Sequence, residues 1–75
     1  MTNLRAPADI MPSGNWAEDN AAGGKLAAAY VAEARTQNDP CLINAALRDI
    51  ADAGRWTGVE VGFAFGLAGA VLSQA

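Results

Sequence analysis

The side chains that could carry out chemistry in this sequence lie close together, between residues 41 and 52. Asp49 stands three residues before Asp52 and Arg48 stands four before it, so a helix would place both side chains next to Asp52. Paired carboxylates act as general acid and base when a cleft gives them different acidities. The surrounding pattern does not indicate a cleft, and we interpret this group as a solvated helix face.

The single cysteine, Cys41, is the other candidate for chemistry. It falls in the first turn of a predicted helix, where thiols can become nucleophilic, but such a nucleophile usually takes its base from a histidine. The chain contains one cysteine and no histidine. This composition excludes His-based general base catalysis, His ligation of zinc or haem, and an internal disulfide. We therefore expect no enzymatic activity, no metal and no cofactor, and we interpret Cys41 as a small semi-buried residue.

Length and composition limit the chain to one small domain, residues 1–75. Hydrophobic residues make up 52% of the sequence, but close to half of them are alanine, so large apolar side chains are scarce. A core of this size rarely contributes more than about 3–5 kcal/mol of stability. Five basic and eight acidic residues give a net charge of −3, which argues against simple electrostatic binding of nucleic acid.

The first third of the chain is predicted to be an extended arm followed by a helix. Residues 1–19 show neither helical nor strand periodicity and form the arm in this prediction. The first helix is expected over residues 25–37, because Gly23 and Gly24 resemble a ragged helix start. Its core face is expected to contain Leu26, Ala29, Tyr30 and Ala34.

A second helix is expected over residues 40–53. Asp39 is a preferred N-cap residue, Pro40 suits the first helical position, and Gly54 is a typical stop. The apolar residues recur at the spacing of one helix face. They are Ile43, Ala46, Leu47, Ile50 and Ala51.

The third helix is expected over residues 57–73 and is apolar on nearly every side. Thr57 and Glu60 have the spacing of a capping box, in which each side chain accepts a backbone N–H of the first turn. A helix that is apolar all round must be covered all round, and two short helices would leave one side bare. Together with the arm, the three helices predict an all-α domain with a degenerate helix-turn-helix-like arrangement.

The uncovered side of the third helix predicts an interface with a partner protein or with a second copy of the chain. One stripe of small residues favours close approach by another helix, and the other sides carry large apolar groups. Trp56, just before the capping Thr57, would either staple onto Val61 or anchor the interface. The expected interface residues are Trp56, Gly62, Phe63, Phe65, Gly66, Leu67, Gly69 and Val71.

A run of about 30 residues, Ala29 to Val59, carries a recognisable pattern. The matching residues are Tyr30, Val31, Ala34, Asn38, Asp39, Pro40, Leu42, Ile43, Ala46, Leu47, Asp49, Ile50 and Ala51. In this arrangement the run resembles the addiction-module antidote proteins, small antitoxins whose DNA-binding domain is a helix-turn-helix. The resemblance implies a toxin or another effector complex as the partner.

The resemblance ends where the family binds DNA. The recognition helix would correspond to residues 67–75, which contain no Arg or Lys and almost no group that could contact a base or a phosphate. DNA binding is therefore not implied. We expect an antitoxin-derived module that binds and inhibits or modulates a partner protein and self-associates. The alternatives are a phage-type inhibitor, such as an anti-CRISPR protein that blocks a nucleic-acid-binding complex, and a DNA-binding autoregulator.

The sequence also bears on where the protein acts. Pro7, Pro12 and Gly14 interrupt the first residues, which therefore lack the apolar run of a secretory signal. The longest apolar stretch, residues 61–72, is shorter than the roughly 20 residues of a membrane-spanning helix. We expect a cytoplasmic protein that does not enter a membrane.

Overall fold

A computed structural model describes residues 4–73 and contains three α-helices behind an N-terminal arm. The helices are α1 (Trp16–Gln37), α2 (Cys41–Ala53) and α3 (Gly58–Leu72). Pro7–Asp9 form a single 3-10 turn within the arm. No strand occurs among residues 4–73, so the predicted all-α class is confirmed. The first three residues of the predicted arm, and the last two of the segment aligned with a recognition helix, lie outside the described residues.

The first helix begins at Trp16, so the prediction that it starts near residue 25 is wrong, and the arm ends at Asn15. The side-chain oxygen of Asn15 accepts the backbone N–H of Glu18 at 3.1 Å and satisfies one of the free donors of the first turn. Gly23 does not interrupt the helix because it lies at a helix contact, where α3 packs against it. The loss of helix propensity is offset by the close approach.

The other helix ends have local capping signals. Asn38 adopts the left-handed conformation with φ of 51° and ends α1, and Gly54 does the same with φ of 64° after α2. The carboxylate of Asp39 accepts the backbone N–H of Cys41 at 3.1 Å. The capping box of Thr57 and Glu60 is present at the start of α3. The limits of α2 and α3 agree with prediction to within one residue, the usual uncertainty of a helix end.

Helices α1 and α3 run parallel and touch through glycines. A Cβ atom built on Gly62 would lie 2.2 Å from the carbonyl oxygen of Asn20, and one on Gly23 would lie 2.0 Å from that of Val59. Further along the pair, a Cβ on Gly66 would lie 2.7 Å from the Cβ of Ala27. Residues early in α1 contact residues early in α3, and later residues contact later ones, so the two helices point in the same direction. Small residues here let the two backbones approach more closely than ordinary side chains permit.

The core lies where α2 packs beside this pair. Ala27, Tyr30, Ala46, Ile50 and Phe63 form one buried cluster. The rings of Tyr30 and Phe63 meet edge to face, with centroids 5.4 Å apart and planes at 86°.

Three of the predicted core alanine and leucine positions lie elsewhere. Ala29, Leu47 and Ala51 are exposed, whereas Ala27 is completely buried. Because α1 faces α3 more than α2, the buried stripe of α1 is rotated toward Gly23 and Ala27. Leu47 and Ala51 lie beyond the edge of the contact that α2 makes with the pair.

Candidate functional site

Two of the residues predicted to form an interface lie inside the fold. Phe63 has no exposed surface and packs against Tyr30. Gly62 is buried beneath the backbone of Asn20. Both residues hold the helices of this chain together, and neither offers surface to a partner in this conformation.

Gly66 and Leu67 are shared between the core and the surface. Gly66 is half-buried against Ala27 and Gly24 of α1. Leu67 packs against the core cluster with one side and lines a surface groove with the other. The part of α3 that is free for binding therefore begins at Phe65, two residues after Phe63.

The last two turns of α3 expose large apolar side chains. Phe65 is 69% exposed, Val71 is 70% exposed and Leu72 is 74% exposed. Phe65, Gly69 and Leu72 share one helix face, because their spacing is i, i+4 and i+7. A Cβ atom on Gly69 would meet no atom of residues 4–73 within 4 Å, so a space lies open between two protruding apolar groups.

Two grooves flank this exposed part of α3. The first, which we call the α1–α3 groove, has a floor of small residues from the two parallel helices. It is lined by Gly24, Ala28, Val31, Ala32, Arg35, Gly66, Gly69, Ala70 and Ser73. The second, the α2-side groove, is more apolar, adjoins the first at Val31, Arg35 and Ala70, and extends toward α2. It is lined by Val31, Arg35, Ile43, Leu67, Ala70 and Val71.

Within the part of the chain that the structure describes, Arg35 is the one charged residue that lines both grooves. It is exposed, and within residues 4–73 no hydrogen bond or ion pair engages its guanidinium. Lys25 is also exposed and unpaired within the same residues, and it lies one turn before Ala28 of the α1–α3 groove. The charged residues beside this groove are thus basic, although the whole chain carries a net charge of −3.

Trp56 does not belong to this surface. It is 63% exposed and precedes α3, whereas Val71 lies at the other end of the helix, roughly 20 Å away at the rise of an α-helix. The ring of Trp16 lies near Gly58 at the same end as Trp56, and it is 61% exposed. The interface predicted from the sequence is therefore divided between two ends of the molecule.

The end near Trp56 is built around a buried carboxylate. The side chain of Glu60 has no exposed surface. Its carboxylate accepts the backbone N–H of Thr57 and the Nε–H of Arg55, each at 2.7 Å, and it also accepts the hydroxyl of Thr57. Burial would raise the pKa of Glu60, but the hydrogen bonds from Thr57 and Arg55 outweigh it and hold the pKa below its ordinary value. This carboxylate is a structural anion at a helix N-terminus.

Arg55 connects this carboxylate to the arm. Its guanidinium donates to the carbonyl oxygens of Pro7 at 3.1 Å and Ile10 at 2.8 Å while it pairs with Glu60. A second tie is the hydroxyl of Tyr30, which donates to the carbonyl oxygen of Arg5 at 2.9 Å. The arm is therefore held by long-range hydrogen bonds to Tyr30 of α1 and to Arg55 in the loop before α3.

A second buried carboxylate, Asp19, stabilises the start of α1. It accepts the backbone N–H and the hydroxyl of Ser13, each at 2.9 Å. The backbone hydrogen bond from Ser13 lowers the pKa of Asp19 below its ordinary value. Because α1 and α3 are parallel, their positive N-terminal ends lie side by side, and Asp19 and Glu60 place negative charge there.

The residues that suggested chemistry do not form a site. Cys41, Arg48, Asp49 and Asp52 line a shallow depression on the outer side of α2. Cys41 is exposed, so its interpretation as a semi-buried residue is wrong; α2 presents its first turn to solvent. Among residues 4–73 no group of three or more His, Cys, Asp or Glu side chains could hold a metal ion.

Sequence reasoning missed the wall that α1 contributes to the candidate surface. The signal was present as Gly24, Ala28 and Ala32 at i, i+4 and i+8, followed by Arg35. This signal is hidden in the sequence because the predicted helix starts only after Gly24.

Over residues 4–73, no helix is both long and apolar enough to cross a membrane. Comparison of the chain with protein-family models, with curated proteins and with solved structures finds no match.

Proposed function

We propose that this chain is a non-enzymatic protein-interaction module that binds and modulates a partner protein through the exposed C-terminal half of α3. The observation that carries the proposal is the exposure of Phe65, Val71 and Leu72, each about 70% exposed within residues 65–72 of one helix. Contiguous exposed apolar surface beside a groove is typical of protein-binding sites. Two copies associate weakly through the same surface when the partner is absent.

The internal packing of α3 supports a role for this half of the helix. Gly62 and Gly66 are accounted for by their contacts with α1, but Gly69 makes no contact that requires a glycine. A helical glycine costs roughly 1 kcal/mol relative to alanine. Gly69 is therefore unfavourable for this fold alone, and a partner that approaches α3 closely would explain it.

The sequence resemblance to antitoxins suggests the kind of partner. A toxin or another effector complex would be inhibited when the module covers its surface. The same surface would serve a phage-type inhibitor of a nucleic-acid-binding complex. The neighbouring genes discriminate between these roles, because a toxin gene favours the first and phage genes favour the second.

The proposal is tested by comparing one substitution on the surface with one at the far end. Phe65→Asp introduces a charge at the proposed interface, and Met11→Asp makes the same kind of change in the arm, where Met11 is 82% exposed. By sedimentation equilibrium, the wild type and Met11→Asp should show a mass that rises with concentration above 7.7 kDa. Phe65→Asp should remain a monomer and should lose the partner that the wild type retains in affinity capture.

Two results would contradict the proposal. One is a wild type that stays monomeric at all concentrations and captures the same proteins as Phe65→Asp. The other is equal loss of association in Phe65→Asp and Met11→Asp. Circular dichroism of both variants checks that each keeps the helices, as expected for changes at exposed positions.

A further inference from the structure

We propose that the α1–α3 groove receives an amphipathic α-helix of another protein, and that this helix carries aspartate or glutamate beside its apolar face. The inference rests on the proposed function, since it names the class of partner for the same surface. It is carried by the shape of the groove and by the sign of the charges along it.

The groove is shaped for a helix. Peptides bind protein surfaces mainly by adding a strand to a sheet edge, by a polyproline segment on aromatic side chains, or by a helix in a groove. Residues 4–73 contain no strand, and no aromatic residue lines this groove. Its floor is made by small residues of two parallel helices, so a third helix can lie along them.

The size of the lining residues determines what the partner must supply. Most of the lining residues are small, and Val31 and Arg35 are the larger ones among them. The partner helix must therefore fill the groove with its own large apolar residues at i, i+3 or i+4, and i+7. Phe65 and Leu72 lie on the helix face of Gly69 and would contact the side of that helix.

The charges beside the groove select an acidic partner. Arg35 lines the groove from the last turn of α1, and Lys25 lies ten residues earlier on the same helix. Neither cation is paired within residues 4–73. Among the described residues, no acidic side chain lines this groove, and Glu33 lies in a different groove with Leu4 and Leu42. Carboxylates spaced about three turns apart would face both cations.

A second copy of this chain fits the groove less well. Its exposed α3 residues, from Phe65 to Ser73, include no carboxylate. An α3 helix in the groove would therefore leave Arg35 of each copy in the interface without a counter-charge, which is unfavourable. On α2 of a second copy, Leu47 is the one large hydrophobic residue exposed among the described positions. Weak self-association is thus expected to give way to an acidic helix.

The test uses the full chain and three synthetic helical peptides of equal length. The first carries leucine at i, i+3, i+4 and i+7 with flanking glutamates, the second has lysine in place of glutamate, and the third is a scramble of the first. Binding is followed by amide chemical shifts and by calorimetry. We expect the acidic peptide to bind, to shift the amides of Gly24, Gly66 and Gly69, and to dissociate any dimer.

Three variants define the site. Arg35→Gln should weaken the acidic peptide about three- to tenfold, the range of a partly exposed ion pair, and high salt should weaken it similarly. Arg48→Gln removes an exposed arginine from α2 and should leave the affinity unchanged. Gly69→Leu fills the open space on α3 and should abolish binding while the fold is retained, since nothing lies within 4 Å of the new Cβ.

Each other outcome has a defined meaning. If the basic peptide binds the groove as tightly as the acidic one, the charge rule is overturned while the proposed function stands. If no peptide binds, or if the shifts map to α2, the inference is overturned. The solution mass of Phe65→Asp and the proteins that it retains in affinity capture then decide separately whether α3 binds any protein at all.

Discussion

Gly23 of α1 faces the carbonyl oxygen of Val59 in α3 so closely that a Cβ atom on the glycine would lie 2.0 Å from it. The same Cβ would lie 2.7 Å from the backbone nitrogen of Phe63. Both clashes are with backbone atoms, which cannot rotate away as a flexible side chain can. The distance between the two parallel helices, and hence the position of every residue along the α1–α3 groove, depends on the absence of a side chain at this position.

Replacement of Gly23 by alanine is therefore expected to be severely destabilising. The new methyl group would force α1 and α3 apart and open the contact around Val59, which is completely buried. We expect a loss of roughly 2–4 kcal/mol in the free energy of unfolding, enough to unfold most of a domain this small. Urea unfolding followed by circular dichroism measures it.

The adjacent glycine provides the control. A Cβ on Gly24 would lie 3.9 Å from the carbonyl oxygen of Gly62, an ordinary contact. Gly24→Ala should raise the free energy of unfolding by about 0.5–1 kcal/mol through helix propensity. Similar stability of Gly23→Ala and Gly24→Ala would show that the close approach of the two helices is not required.

A second pair of glycines separates packing from binding within α3. Gly69→Ala should stabilise the chain by about 0.5–1 kcal/mol, because the residue is helical and its Cβ would meet nothing within 4 Å. Gly66→Ala should destabilise it by roughly 1–3 kcal/mol, because its Cβ would lie 2.7 Å from that of Ala27. Thermal unfolding of both variants tests this order of stability, and the reverse order would contradict the packing described for α3.

The sequence predicted those elements whose signals are local. The periodicity of α2 and the capping box of Thr57 and Glu60 need only neighbouring residues, and both are present. The start of α1 does not follow from the sequence, because Gly23 resembles a helix break although Asn15 and Glu18 have the spacing of an N-cap. What decides between the two interpretations of Gly23 is Val59, which lies 36 residues later and touches it only in the fold.

The candidate site shows the same division. Exposure of Phe65 and Val71 was predicted from an apolar helix that two neighbours could not cover. The burial of Phe63 and the distance of Trp56 were not predicted, because they depend on which side of α3 faces α1 and α2. The position of Arg35 beside a groove cannot be predicted from the sequence, because the groove exists only in the folded chain.

Stability in acid is expected to depend on Glu60. In the folded state the pKa of Glu60 lies below its ordinary value of 4.5, and the pKa of Asp19 lies below its ordinary value of 3.8. The unfolded chain therefore binds protons at these two carboxylates more readily than the folded chain does. The stabilisation is present in full above these ordinary values and is lost as the pH falls below them through the folded-state values. The urea midpoint measured between pH 7 and pH 2 should fall in that window.

The variant Glu60→Gln tests the origin of this pH dependence. It leaves Arg55 without a buried counter-charge and should cost roughly 2 kcal/mol or more at pH 7. The remaining fall in stability between pH 5 and pH 2 should be smaller than in the wild type. Asp52→Asn is the control, because Asp52 is exposed and its carboxylate has no hydrogen bond or ion pair within residues 4–73, so this variant should stay within about 0.5 kcal/mol of the wild type at pH 7. An equal pH dependence in wild type and Glu60→Gln would assign the acid sensitivity to other groups.

Tyr30 is the only tyrosine in the chain, so the rise in ultraviolet absorbance when a tyrosine loses its proton reports this single residue. Burial raises the pKa of Tyr30 above 10.0, and the negative charges of Asp49 and Asp9 raise it further. Its hydroxyl also donates to the carbonyl oxygen of Arg5, which favours the protonated form. Absorbance at high pH should show a midpoint above 10, moving toward the ordinary value in urea.

The matched variant Tyr30→Phe keeps the ring against Phe63 and removes only the hydrogen bond to the arm. At pH 7 it should lower the free energy of unfolding by about 1 kcal/mol and speed amide exchange in the arm. The raised pKa stabilises the protonated folded state below pH 10, and this contribution is lost as the pH rises through the folded-state pKa. The wild type should therefore lose more stability than Tyr30→Phe between pH 9 and pH 12. Identical alkaline behaviour of the two proteins, together with unchanged exchange in the arm, would mean that Tyr30 does not tie the arm to α1.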